Sequence, residues 1–123
     1  MVTFEDIVAL TAELPMVGVG SHDGTAAVQV RGKAFARMWS DREYTRDGVK
    51  GTEVLVVWCE LEEKPLVLAA LVDVCFETPH YNGHGAFLVR LADIEPDDLY
   101  DLLEDSYRLK APKTALKELD ARE

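Results

Sequence analysis

The longest unbroken apolar run in the chain, Leu66–Val72 behind Pro65, is seven residues long. A membrane-spanning helix needs about 20 consecutive apolar residues, so the chain is expected to fold in water with no membrane partner. Its 123 residues suit one compact domain, residues 1–123, rather than two. An apolar fraction of 48% is ordinary for a globular protein, and at this size folding buries roughly two-thirds of the chain's surface without staples. Cys59 and Cys75 are the two cysteines; they are far apart and lie in apolar surroundings, as reduced core residues do. Glu5 and Asp6 stand where a secretory leader would carry Lys or Arg, so the expected location is cytoplasmic.

Short strands and amphipathic helices alternate along the chain. Thr3 and Asp6 form a capping pair, and Phe4, Ile7, Val8, Thr11 and Leu14 recur at helical spacing until Pro15, which predicts a helix over 3–14. Gly18, Gly20 and Ser21–Gly24 read as a loop, after which Ala26–Val30 alternates as a strand. Arg31-Gly32-Lys33 turns the chain into a strand at Ala34–Trp39, giving a hairpin with a basic tip. Ser40–Gly51 is polar and reads as a loop or the tip of a second hairpin. Glu53–Cys59 is a strand, Glu62, Glu63 and Pro65 open a helix into Leu66–Val72, and Val74–Phe76 is a short strand. Thr78–Gly85 is a loop and Ala86–Leu91 a strand so apolar that it is buried on both faces, with Glu77 as the candidate partner for Arg90. Pro96 opens the clearest helix, with Leu99, Leu102, Leu103 and Tyr107 on one face, and a last helix covers Pro112–Leu119.

Charge is uneven along this plan. The formal net charge is −10, yet residues 31–50 hold six basic and three acidic residues, while residues 93–107 hold seven acidic residues and no Lys or Arg. The acidic stretch reads as the solvated face of a helix. The basic stretch reads as a solvated loop, with ion pairs among Arg42, Glu43 and Arg46, or as a phosphate-contacting surface.

His80 and His84 are four residues apart, and His22 or an acid could join them as ligands for zinc or iron. Pro79, Asn82, Gly83 and Gly85 argue against a helix there, so the spacing does not put the two imidazoles on one face. His80, Tyr81, His84 and Arg90 are therefore candidate ligand contacts or turn anchors, with no metal and no cofactor expected. A catalytic reading would use His80 as a base beside Tyr81 or Cys75; no orienting third group is evident, and no catalysis is expected.

Thr78-Pro79-His80-Tyr81-Asn82-Gly83-His84-Gly85-Ala86-Phe87-Leu88-Val89-Arg90-Leu91 resembles the hallmark segment of the MmcQ/YjbR-like family of small bacterial proteins. Leu14-Pro15, the Arg31-Gly32-Lys33 turn, and the stretch from Asp97 through Ala111-Pro112-Lys113 fit the same family, with Trp39–Val72 fitting only loosely. The resemblance implies an α+β fold, frataxin-like, with helices on an antiparallel sheet, and a proposed DNA-binding role through two hairpin wings. On that reading the contacts are Arg31, Lys33, Arg37, Arg42, Arg46 and Lys50. DNA binding would be weak and non-specific, because the net charge repels phosphate at long range while screening over about 8 Å lets a local basic surface act alone. If about three or four phosphates are neutralised, log affinity should fall with log salt at a slope of roughly −3 to −4. The alternatives are a protein-interaction or small-ligand-binding module and, after those, a metal-binding protein of frataxin type.

Overall fold

The computed structural model describes residues 1–122. In chain order they form α1 (Phe4–Thr11), β1 (Val17–His22), β2 (Thr25–Val30), β3 (Lys33–Met38), α2 (Asp41–Asp47), β4 (Val54–Trp58), α3 (Lys64–Ala70), β5 (Cys75–Phe76), β6 (Ala86–Arg90), α4 (Pro96–Lys110) and α5 (Lys113–Ala121). Leu61–Glu63 and Pro79–Tyr81 are single helical turns. The strands make one antiparallel sheet in the order β1-β2-β3-β4-β6-β5, so the class is α+β as expected. No helix among the described residues is long and apolar enough to cross a membrane.

Two elements differ from the sequence expectation. The stretch expected as a loop at Gly18–Gly24 is mostly strand: β1 pairs with β2 from Val17 opposite Val30 to His22 opposite Thr25. Asp23-Gly24 and Arg31-Gly32 each join two strands with both residues at positive φ, 54° and 79°, then 49° and 80°. That is the backbone a two-residue turn needs to match the sheet's twist. The polar stretch expected as a loop or second hairpin is α2, started by a capping box in which Ser40 and Glu43 satisfy each other's backbone N–H. Its chain leaves the helix through Gly48 at φ 70°, in the left-handed region.

The sheet has a large and a small apolar side. Phe35, Leu55, Val57, Phe87 and Val89 pack against Ile7 of α1 and Leu99, Leu103 and Tyr107 of α4. The Phe35 and Tyr107 rings meet edge to face at 5.6 Å, and the Tyr107 hydroxyl donates to the Pro15 carbonyl at 2.8 Å. On the other side Trp39, Val54, Val56, Tyr81 and Leu88 form a second cluster beneath α2 and the loop before β6. β4 and β6 are consequently buried on both faces, as the apolar run from Ala86 predicts.

Arg90, at the end of β6, lays its guanidinium over the Phe76 ring at 4.2 Å; Glu77, expected as its partner, pairs with Lys64 instead. Where β3 and β4 separate beyond the Ala36–Val57 pair, the Ser106 hydroxyl of α4 enters the gap. It donates to the Phe35 carbonyl at 2.6 Å and accepts from the Trp58 N–H at 3.2 Å, in place of a strand-to-strand hydrogen bond.

Candidate functional site

A cleft of about 240 Å³ opens on the smaller side of the sheet, lined by His22 from the end of β1, Arg37 of β3, Trp58 of β4, and His80, Tyr81 and His84 of the loop before β6. Rings dominate its wall. His22 stands edge-on to Trp58 at 5.8 Å and 87°, and His80 and His84 lie near-parallel at 6.2 Å and 19°. A second depression of about 560 Å³ shares Asp23, Arg37 and His80 with the first and continues over Ser40, Arg42 and Arg46 of the α2 region. The three histidines thus come from two distant segments brought together by the β1–β2 turn and the Thr78–Gly85 loop. Among the described residues, no three of the His, Cys, Asp and Glu side chains gather as a metal ion would require.

The loop carrying His80 and His84 is tied down by a buried lysine. Lys64, at the start of α3, is 3% exposed. Its ammonium donates to the Tyr81 carbonyl at 2.7 Å and the His84 carbonyl at 2.9 Å, and sits 2.7 Å from the Glu77 carboxylate. A buried ammonium persists only when its donors are matched in this way. Gly85 completes the loop: a Cβ there would stand 2.7 Å from the Cys59 carbonyl oxygen, so the close approach of loop to strand requires glycine.

The six basic residues read as phosphate contacts of two hairpin wings are spread along β3 and the α2 region. Arg31 and Lys33 are exposed at the β2–β3 turn, and β3 then runs about 20 Å, at roughly 3.3 Å per residue, before α2 begins with Arg42, Arg46 and the nearby Lys50. Arg37 is 7% exposed, and its fork meets both oxygens of Glu43, at 2.8 and 2.9 Å. Burial raises the Glu43 carboxyl, but hydrogen bonds from Arg37 and Ser40 outweigh it and hold the group down at about 2. Arg46 closes a similar fork on Asp47, at 2.7 and 2.8 Å. The Asp47 carboxyl is held down at about 2, first by Arg46, with Thr78 also donating to it. The expected ion pairs among Arg42, Glu43 and Arg46 are therefore replaced by Arg37–Glu43 and Arg46–Asp47.

Tyr81 anchors the same corner. Its hydroxyl accepts from the Trp39 indole at 3.0 Å and donates to Glu43 at 3.1 Å, joining the cleft wall to α2 and the second core. Cys75 faces the larger core rather than this cleft, and burial pushes its thiol up to about 12.

The YjbR family model matches residues 11–109, which includes every residue of the cleft. The chain belongs to the YjbR family. Uncharacterized protein Rv2570 of Mycobacterium tuberculosis is 31% identical to this YjbR chain over 118 residues, 92% of each sequence. Uncharacterized protein Mb2600 of Mycobacterium bovis aligns to the same extent. Among solved structures, Deinococcus radiodurans DR2400, with a DUF419 domain, superposes with a TM-score of 0.66 at 22% identity, covering 96% of this chain and 88% of that one. A Pseudomonas syringae protein superposes with a TM-score of 0.65 at 14% identity, covering 89% of this chain and 99% of that one. These two likenesses establish the YjbR fold.

In this YjbR chain His22 and Trp58 belong to the cleft although the family hallmark segment contains neither. His22 was visible beforehand only as an optional third ligand. The Asp23-Gly24 turn signal that follows it is what marks the end of a strand and so places it.

Proposed function

We propose that this chain is a non-catalytic binding module whose site is the ring-lined cleft, and that its ligand is a small molecule carrying negative charge. The observation that carries this is the convergence of His22, Trp58, His80 and His84 beside Arg37, from separate segments, in a concavity whose loop is locked by Lys64. Concave sites with a few convergent polar groups are the usual form of small-ligand sites. A binding role fits better than catalysis because the two loop imidazoles face each other and the buried Cys75 is out of reach. Titrating inorganic pyrophosphate into the isotope-labelled protein tests the reading. The expected result is amide shift changes at Arg37, Ser40–Glu43 and His80–Gly85; changes confined to Arg31–Lys33, or none at all, would sink it.

Duplex DNA contact at the β2–β3 turn is a second reading, supported by the exposure of Arg31 and Lys33 at a tight turn. With Arg37 and Arg46 held by carboxylates, this tip neutralises about two phosphates, so the salt slope should be about −2. Anisotropy of a labelled duplex over a salt series, repeated with Arg31→Ala and Lys33→Ala together, decides it; a slope unchanged in the double variant rejects the tip as the contact.

A further inference from the structure

Resting on the small-ligand reading above, we infer that the cleft and the depression beside it are two compartments of one site for a nucleoside monophosphate. The first compartment is bounded by flat rings: Trp58 with His22 edge-on against it, and the near-parallel pair His80 and His84. Val56 and Ala86 also line it, so a planar ring system entering there meets apolar side chains beside the indole and imidazole rings. At about 240 Å³ it is smaller than the usual pocket for a whole drug-sized ligand, roughly 300–1,000 Å³. Only a part of such a ligand is held there.

The second compartment holds the anion. Arg42 is exposed on α2 and lines it together with Ser40 and Arg46. Glu43 also lines it, but its oxygens already accept from Arg37 and from Ser40. Asp41 stands in the same wall and opposes an anion, and Arg46 is closed on Asp47, which leaves Arg42 as the phosphate contact.

The junction selects the class. Asp23, Arg37 and His80 line both compartments, so a ligand that spans them passes beside the Asp23 carboxylate. An anionic group attached directly to the ring would meet that carboxylate and be repelled. A linker bearing hydroxyl groups instead donates hydrogen bonds to it, as a ribose does. Ring, hydroxylated linker and phosphate in that order describe a nucleotide, and the neutral middle separates this class from aromatic carboxylates.

The test uses the intact chain with three probes, AMP, adenosine and ribose 5-phosphate, titrated calorimetrically and followed by tryptophan fluorescence. AMP should bind at least about tenfold more tightly than either fragment, and AMP and adenosine, but not ribose 5-phosphate, should change the emission. Arg42→Ala, an exposed position that does not bear on folding, should bring AMP affinity down to that of adenosine. Trp58→Phe should keep the fold and weaken AMP and adenosine while leaving ribose 5-phosphate unchanged. Equal affinity for AMP and ribose 5-phosphate overturns the ring compartment while leaving an anion-binding cleft in place. Absence of binding by all three, alongside absence of pyrophosphate shifts, removes both readings. A single-stranded oligonucleotide that competes more strongly than AMP overturns the assignment to a free nucleotide.

Discussion

Arg37 and Glu43 meet fork to fork at 2.8 and 2.9 Å, with side chains 9% and 12% exposed. Glu43 also caps α2 and accepts from the Tyr81 hydroxyl, so one carboxylate joins β3, α2 and the histidine loop. Removing one partner from a shielded pair leaves an uncompensated charge. Arg37→Met is therefore expected to destabilise by about 3 kcal/mol, the lower end for buried pairs because a little solvent reaches this one. Adding Glu43→Gln should recover part of the loss. Urea denaturation of the two single variants and the double variant measures the coupling.

The same pair gives stability a defined pH dependence. Glu43 is held at about 2 against an ordinary 4.5, and Asp47 at about 2 against 3.8. A carboxyl depressed in the folded state contributes stability fully above its ordinary value and loses it as pH falls toward the folded value. Stability should accordingly decline from about pH 5 down to pH 2. Glu43→Gln should flatten that decline, seen as a smaller change in urea midpoint between pH 6 and pH 3; an unaltered decline would contradict the assignment.

Lys64→Met removes the ammonium from two loop carbonyls and from Glu77. The Tyr81 carbonyl keeps the His84 N–H at 3.0 Å, whereas the His84 carbonyl loses the ammonium, a loss of about 1–3 kcal/mol where it is buried. The expected outcome is faster hydrogen exchange across Asn82–Gly85, while the amides of β2 and β3 keep their protection relative to global stability. Pyrophosphate shifts at His80 and His84 should weaken in parallel. Uniform loss of protection across the sheet would show that the lysine supports the whole fold rather than the loop.

Ser106→Ala tests the hydroxyl between β3 and β4. It strands the Phe35 carbonyl and the Trp58 N–H together, so a loss of about 2 kcal/mol is expected, more than one ordinary hydrogen bond contributes. Ser106→Cys keeps the volume but has a weak donor and should recover little. Thermal melts of both variants supply the comparison.

α4 and the buried strand β6 were legible because their signals are local. Pro96 with the Leu99–Leu103–Tyr107 stripe marks α4, and unbroken Ala86–Val89 marks a strand covered on both faces. β1 was harder to see because Gly18 and Gly20 mimic loop composition, although Val17 and Val19 alternate with them before an Asp-Gly turn. α2 was masked by its charge, although Ser40-x-x-Glu43 is the pattern of a capping box. His80 and His84 stood out by type, but the hold of Lys64 on the backbone of their loop is one that no local pattern discloses. The charge count of residues 31–50 left open whether the basic residues share a face; the run of β3 and the Arg37–Glu43 and Arg46–Asp47 pairs, which a count does not disclose, set them apart.

The unequal spacing of strand connections predicts an order of assembly. β1, β2 and β3 follow one another through two-residue turns and can zip together on the timescale of hairpins, about 1–10 μs. The β4–β6 ladder must first close the chain from Trp58 to Ala86, with α3 and the lysine-held loop inside that closure. His80 and His84 reach His22 only at this second stage. A chain arrested after the first stage would present a formed meander and no cleft, so the cleft's formation reports the completeness of folding.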